Sequence, residues 1–182
     1  MFESLRNHKV TIFVLIGTLC VFAFITYQFV AVSGVFSDLK NDLKTIEPEQ
    51  GSEYLDIHGN SVQMSEFKGR PLIVNSWATW SPYSKDELSL LTDIQRDYDD
   101  IVVLAINRKE NLPIISSYLK TYNINIEGLI FLSDTTDHFY TSSGGYAMPE
   151  TIFYRKDGTI HTHVRGTLDR ETANNIVKEL LN

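Results

Sequence analysis

The sequence predicts an α/β fold in which a mainly parallel sheet is covered by helices on both faces. Short apolar runs, such as residues 71–77 and 101–106, alternate with longer segments whose apolar residues recur every three or four positions. The runs are typical of buried strands and the segments of amphipathic helices, and their alternation favours a parallel sheet. Near the C-terminus, Asp157-Gly158 between two short β-type runs indicates a hairpin, so the predicted sheet is mixed.

Eleven elements are expected in the order β-β-β-α-β-α-β-α-β-β-α. Glycine-containing turns at 58–60 and 68–70 separate the first three strands. The predicted elements span 54–57, 61–64, 71–77, 82–98, 101–106, 113–122, 129–132, 136–141, 151–154, 160–164 and 169–182.

The ends and faces of the helical segments support this interpretation. Pro82 is expected to open the first helix, because proline is favoured at the first helical position. Leu88 and Leu91 belong to one apolar face of that helix, with three- and four-residue spacing. The last helix is expected to be capped by Thr167 or Asp169, whose side chains can accept a backbone N–H.

An apolar segment lies near the N-terminus, where no charged residue occurs between Val10 and Phe36. A helix of this length would reach roughly 40 Å, which exceeds the hydrocarbon core of a bilayer, about 30 Å. A cleaved signal peptide ending near residues 31–33 is the alternative, but the apolar core of a signal is usually only about 7–15 residues. We therefore expect four regions: a tail at 1–9, a transmembrane helix at 10–33, a linker at 34–50 and a domain at 51–182.

Charge and cysteine content exclude several functions. A formal net charge of −7 argues against nucleic acid and anionic membrane surfaces as main partners. Cys20 is the only cysteine, so residues 51–182 contain no thiol for an internal disulfide, a thiolate nucleophile or a cysteine-based zinc site. Leu19 argues against lipidation of Cys20, because a lipoprotein signal has a small residue there. No cofactor is expected.

Four features in this order resemble the TlpA/ResA-like branch of the thioredoxin superfamily. They are LIVNSWATWSPYS at 72–84, Glu87, an inserted β-α unit that ends at 132–134, and MPET at 148–151. The resemblance covers residues 51–182 and implies a thioredoxin-like fold. Members of this branch are membrane-tethered or exported thiol-disulfide oxidoreductases. The resemblance therefore favours a domain on the extracytoplasmic side of the membrane.

The resemblance also assigns roles to individual residues. Ser81 stands where the family has its nucleophilic cysteine, and Ser84 stands where it has the resolving cysteine. Glu87 matches an acidic residue that lies under the cysteines and handles protons. Pro149 is implied to be a cis-proline beside the site, with the backbone of Met148 facing a bound peptide.

The two serines cannot perform the chemistry of this family. Disulfide exchange passes through a thiolate and a mixed disulfide, and a hydroxyl provides neither. A helix dipole contributes about 0.3–2 kcal/mol, roughly one pK unit, which is too little to ionise serine. We expect Ser81 to act as a helix N-cap that accepts the N–H near Ser84. Without thiols to serve, Glu87 is expected to be exposed or structural rather than a buried acid with a raised pKa.

Aromatic residues surround this motif and suggest a binding surface. Trp77 is expected in the core. Trp80, Tyr83, Met148 and Pro149 are expected to form an exposed patch suited to an extended polypeptide. Ordinary packing of an aromatic-rich loop is the alternative.

Hydrolysis and metal binding are less well supported. A serine nucleophile would need a histidine base, and the G-x-S-x-G elbow is missing. His161 and His163 share one strand face and could chelate a metal, but structural zinc normally takes four ligands. The histidines considered as bases are His58, His138, His161 and His163.

Two functions remain open from the sequence. In the first, the chain is a membrane-anchored, exported thioredoxin-like protein that is redox-inactive and binds polypeptide at the cis-proline face. In the second, it is a thiol-disulfide oxidoreductase in which cysteines at positions 81 and 84 have been replaced by serine.

Overall fold

The computed structural model describes Phe24, Thr26, Tyr27 and residues 53–182. The strands are β1 (Glu53–Asp56), β2 (Ser61–Gln63), β3 (Leu72–Trp77), β4 (Val102–Arg108), β5 (Ile130–Asp134), β6 (Glu150–Tyr154) and β7 (Ile160–Arg165). The helices are α1 (Ser84–Asp97), α2 (Leu112–Thr121), α3 (His138–Ser142) and α4 (Arg170–Leu181), with a 3-10 helix at Met64–Phe67. The predicted type and order of the elements are confirmed, and the 3-10 helix is an addition.

The strands form one mixed sheet in the order β2-β1-β5-β4-β3-β6-β7. Strands β3, β4 and β5 are parallel, whereas β1 pairs antiparallel with β5, and β6 pairs antiparallel with β3 and β7. The β6–β7 hairpin turns at Gly158, whose φ of 83° suits glycine. The mixed sheet predicted from the sequence is therefore confirmed.

Both faces of the sheet are buried, which agrees with the prediction of helices on both sides. Successive residues of β3 point to opposite faces. Ile73 and Trp77 lie in a core with apolar residues of α1, α2 and α4. Leu72 and Val74 lie in a second core that includes Met64 of the 3-10 helix and Phe139 of α3.

Helix α1 begins later than its sequence predicts. Pro82 was expected to open it, but the helix starts at Ser84. The preceding residues form tight turns instead, since Ser81 N donates to Ala78 O at 3.1 Å and Ser84 N donates to Ser81 O at 3.3 Å. Both bonds span three residues, so the chain tightens before the regular helical pattern begins.

The predicted cap of the last helix is confirmed at one of its two candidate residues. The carboxylate of Asp169 accepts the backbone N–H of Thr172 at 2.9 Å, which makes Asp169 the N-cap of α4. Thr167 therefore does not cap this helix.

The predicted tail, transmembrane helix and linker at 1–9, 10–33 and 34–50 lie outside the described residues, apart from Phe24, Thr26 and Tyr27, which are helical. Among the residues that the structure describes, no helix combines the length and apolar character needed to cross a membrane.

Candidate functional site

The serine motif and the predicted cis-proline lie at the same edge of the sheet. Ser81 and Ser84 follow the carboxyl end of β3, and Glu150 at the start of β6 pairs with Ser76 near that end. The peptide bond between Met148 and Pro149 is cis, as the family resemblance implies. The antiparallel pairing of β3 with β6 therefore brings Met148 and Pro149 beside the motif.

The two serines are both buried but differ in their hydrogen bonds. The side chain of Ser84 is fully buried, and its hydroxyl donates to Ala78 O at 2.8 Å. The Ser81 hydroxyl is also buried, and it has no hydrogen-bond partner among the described residues. Each position therefore offers a shielded hydroxyl at the start of α1.

The expectation that Ser81 caps α1 is wrong. Tyr83 occupies the N-cap position, and it makes no side-chain capping bond. Ser81 lies two residues before that position, because the tight turns after β3 delay the start of the helix. Its side-chain oxygen therefore accepts no N–H group of α1, although its backbone oxygen accepts that of Ser84.

Glu87 is buried, so of the two predicted alternatives, exposed or structural, the exposed one is wrong. Its Oε1 accepts from Asn75 Nδ2 at 2.7 Å and from Thr151 Oγ1 at 2.9 Å. Its Oε2 accepts the backbone N–H of Leu168 at 3.0 Å. Burial raises the pKa of the Glu87 carboxyl, and these three hydrogen bonds partly offset that rise.

A second buried acid, Glu150, holds the segment before the cis-proline. Its Oε1 accepts the backbone N–H groups of Tyr146 and Ala147, each at 2.8 Å. Its Oε2 lies 3.0 Å from Nε2 of His163. The hydroxyl of Tyr140 donates to Ala147 O at 2.9 Å, so side chains hold both backbone groups of Ala147.

A third acid fixes the other side of the motif. Glu110, beyond the end of β4, accepts from Thr79 N at 2.8 Å and from Thr79 Oγ1 at 2.5 Å. It also accepts from Asn107 Nδ2 at 2.7 Å. The loop from β3 to α1 is therefore tied to the neighbouring parallel strand.

Sequence reasoning missed the roles of Glu110, Glu150 and Thr151. For Glu150 the sequence did contain a signal. It is the only charged residue of strand β6, and a carboxylate that is buried in a strand requires hydrogen-bond partners. The contact of Glu87 with the Leu168 amide has no such signal, since every residue except proline carries a backbone N–H.

The aromatic residues near the motif divide between core and surface. Trp77 is fully buried, as expected, whereas Trp80 is 63% exposed and Tyr83 is 54% exposed. Met148 is partly exposed and Pro149 is buried, so Pro149 does not extend the exposed patch as predicted. Tyr146, which the sequence did not single out, is 78% exposed.

The histidines considered for metal binding have other partners. His163 contacts Glu150, and Nδ1 of His161 lies 2.7 Å from a guanidinium nitrogen of Arg155. Within residues 53–182, no group of three or more histidine, cysteine, aspartate and glutamate side chains is arranged to hold a metal ion. The structure therefore brings together Ser81, Ser84, Glu87 and the cis-proline, but not a metal-ligating set.

The fold agrees with comparisons to known proteins. A secreted Mycobacterium tuberculosis disulfide oxidoreductase superposes with a TM-score of 0.62 at 20% identity, covering 71% of this chain and 96% of that protein. The likeness shows the same thioredoxin-like fold.

Proteins of similar sequence include thiol-disulfide oxidoreductases and thiol:disulfide interchange proteins. ResA of Bacillus thuringiensis is a thiol-disulfide oxidoreductase, 20% identical over 127 residues, which are 69% of this chain and 72% of ResA. The thiol:disulfide interchange protein DsbE of Vibrio cholerae is 30% identical over 122 residues, which are 66% of this chain and 64% of DsbE. The profile of the AhpC/TSA family matches residues 42–163, more than half of the chain. The chain therefore belongs to the AhpC/TSA family, as a thioredoxin-like relative of the ResA and DsbE thiol-disulfide oxidoreductases.

Proposed function

We propose that this chain is a membrane-anchored, extracytoplasmic thioredoxin-like protein that has lost disulfide exchange and binds polypeptide at the cis-proline face. The observation that carries the proposal is the pair of hydroxyls at Ser81 and Ser84, set beside cis-Pro149 in a framework that is otherwise retained. Exchange needs a sulfur that can bond to a substrate sulfur, and Cys20 lies outside the domain. What this face still offers is a surface for a polypeptide.

Three features of the cis-proline face support polypeptide binding. Trp80, Tyr83 and Tyr146 expose large aromatic surfaces, which suit apolar side chains of a bound chain. The main-chain groups of Met148 make no hydrogen bond within residues 53–182, so they can pair with an extended peptide. Glu150 and Tyr140 hold the segment just before Met148, which limits the entropy lost on binding.

Membrane anchoring and an extracytoplasmic site rest on the apolar N-terminal segment and on the relatives. The uncharged run from Val10 to Phe36 has the length of a membrane span. The Mycobacterium tuberculosis protein of the same fold is described as secreted. Fractionation of cells, followed by protease treatment of spheroplasts, tests this part; protection of the domain in sealed spheroplasts contradicts it.

A binding experiment tests the proposed function directly. Full-length protein is titrated into a fluorescently labelled, reduced and carboxymethylated α-lactalbumin, which is permanently unfolded and has no thiols. We expect saturable binding that Trp80→Ala weakens about tenfold, the scale of a buried aromatic anchor. The matched control is Ile126→Ala, which removes an exposed apolar side chain away from the motif. Absence of binding, or equal binding by both variants, contradicts the proposal.

The second candidate is an oxidoreductase whose active-site cysteines have been replaced, and the environment of Ser81 favours it. A buried hydroxyl without a partner is unfavourable, whereas a thiol is a weaker donor and tolerates such a site better. The natural gene decides the matter, because serine codons at 81 and 84 in the source genome exclude this candidate.

Introducing cysteines at positions 81 and 84 tests whether the rest of the site still supports disulfide exchange. Ser81→Cys/Ser84→Cys in a Cys20→Ser background is assayed for insulin reduction with dithiothreitol. The control, Ser116→Cys/Ser117→Cys, places the same number of thiols on the exposed face of α2. Activity confined to the first variant shows that only sulfur is missing. Inactivity of both variants shows that the site has diverged beyond its cysteines.

A further inference from the structure

A cavity of about 240 Å³ opens at the end of the sheet opposite to the serine motif. Leu72, the first residue of β3, lines this cavity, whereas the motif follows Trp77, the last residue of the same strand. The five intervening steps of strand rise roughly 17 Å. The cavity is therefore separate from the cis-proline face.

The floor of the cavity is apolar and partly aromatic. Met64, Leu72 and Tyr154 line it and are almost fully buried, with 4%, 6% and 3% exposure. Phe67 adds a half-buried ring. Aromatic rings and a methionine thioether pack well against a flat aromatic group. This floor favours a ligand with an aromatic body.

The rim of the cavity is cationic in a chain whose net charge is −7. Its cationic side chains are those of Lys68, Arg70, Arg155 and Lys156. Lys68, Arg70 and Lys156 are exposed and form no ion pair within residues 53–182. Asp157 is the acidic residue of the lining, and its carboxylate accepts from Thr159 N at 2.9 Å and Thr159 Oγ1 at 2.7 Å. The free charges at the rim therefore favour an anion.

One polar group belongs to the floor itself. The hydroxyl of Tyr154 makes no hydrogen bond within the described part of the chain. Burial raises the pKa of this hydroxyl, so it keeps its proton at physiological pH. It is thus a donor without an acceptor among the described residues, on a side chain that lines the cavity.

We propose that this cavity binds a small aromatic carboxylate, with its ring on the floor of Met64, Phe67 and Leu72. The carboxylate meets Arg70 and Lys156 at the rim and accepts the hydrogen bond that Tyr154 can donate. Charge-assisted bonds of this kind are about twice as strong as neutral ones, which makes the carboxylate essential to the affinity.

Equilibrium dialysis of full-length protein, kept in a nonionic detergent, against radiolabelled phenylacetate tests this site. Micelles of that detergent without protein serve as the blank. The matched neutral probe is phenylacetamide. We expect saturable binding of phenylacetate and at least about tenfold weaker binding of phenylacetamide, since the amide lacks the charge. Arg70→Gln/Lys156→Gln is expected to weaken phenylacetate binding about tenfold. The control Lys120→Gln/Lys178→Gln, an equal charge change elsewhere, leaves it unaltered.

Tyr154→Phe separates the floor from the rim. This variant keeps every charge at the rim and removes only the hydroxyl, so it is expected to weaken phenylacetate binding several-fold, less than Arg70→Gln/Lys156→Gln does. Equal binding of the two probes by the unmodified chain, or no effect of Arg70→Gln/Lys156→Gln, overturns the proposal. Sedimentation with phosphatidylglycerol vesicles that depends on Arg70 and Lys156, without phenylacetate binding, also overturns it, since the cations then serve a membrane surface.

Discussion

The two serines of the motif are chemically identical but occupy different environments. Ser84 donates to Ala78 O, whereas the Ser81 hydroxyl is buried without a partner. An unpaired buried hydroxyl costs about 1–3 kcal/mol, while a satisfied one contributes about 1 kcal/mol. The two positions should therefore respond in opposite directions when the hydroxyl is removed.

We expect Ser81→Ala to raise the free energy of unfolding by about 1 kcal/mol, because it removes an unsatisfied donor. Ser84→Ala is expected to lower it by a similar amount, about 1 kcal/mol, because it removes the bond to Ala78 O. Urea denaturation followed by circular dichroism measures both. A loss of stability in Ser81→Ala equal to that in Ser84→Ala would show that Ser81 has a partner such as water.

Glu87 makes stability depend on pH, and the sign follows from its raised pKa. A raised folded-state pKa means that the folded domain prefers the protonated carboxyl. This contribution is complete below the ordinary glutamate pKa and is lost as the pH rises through the folded-state value. Each unit of elevation corresponds to about 1.4 kcal/mol.

Glu87→Gln removes this titration while keeping an amide that can hydrogen-bond. Between about pH 5 and about pH 8, the variant is expected to gain stability relative to the unmodified protein, because only the latter must bury a charge as the pH rises. Denaturant unfolding across this range measures the difference. Glu127→Gln, at an exposed glutamate, is the control and should show no comparable trend. A difference that shrinks with rising pH contradicts the assignment.

At the scale of elements, the helix starts show how local sequence determines structure. Asn111 caps α2, and its side chain accepts the backbone N–H of Ile114 at 3.2 Å. Helix α1 starts at Ser84, and its N-cap residue Tyr83 makes no such bond, so packing of Leu88 and Leu91 in the core holds the helix.

Asn111→Ala is therefore expected to lower the free energy of unfolding by about 1 kcal/mol, whereas Asn111→Ser retains most of the cap. Thermal and urea unfolding of the two variants provide the comparison. Equal losses in both would show that the carboxamide has a role beyond capping.

The strands and helices were predictable because apolar spacing reports burial directly. Leu88 and Leu91 reveal the inner face of α1, and the run at 71–77 reveals a strand buried on both sides. The start of α1 was not predictable, because two three-residue backbone turns between Ala78 and Ser84 determine it. The burial of Glu87 was also missed, since one of its partners is an amide 81 residues away that only the tertiary fold brings near.

At the scale of the whole domain, the fold does not depend on the atoms that would carry redox chemistry. The two apolar cores lie on opposite faces of the sheet, and neither includes Ser81 or Ser84. Three acids, Glu87, Glu110 and Glu150, hold the surrounding loops through backbone and side-chain bonds. The loops around the two serines are therefore held largely by residues other than the serines themselves.

The two tryptophans report separately on the core and on the proposed binding face. Trp77 is fully buried, with ring centroids 5.5 Å from Tyr118 and 6.3 Å from Phe131, whereas Trp80 is 63% exposed. Trp77→Phe leaves Trp80 as the only tryptophan, and Trp80→Phe leaves Trp77, so selective excitation of tryptophan reports on one residue in each variant.

We expect acrylamide to quench the emission of Trp77→Phe readily and that of Trp80→Phe weakly, because exposure governs collision with the quencher. Adding an unfolded, carboxymethylated polypeptide without tryptophan should protect the emission of Trp77→Phe alone, since a polypeptide at the cis-proline face covers Trp80 but cannot reach Trp77. Protection in both variants would indicate a change of the whole fold, and protection in neither would remove Trp80 from the binding surface. The single exposed indole thus connects the packing of the domain to the function proposed for it.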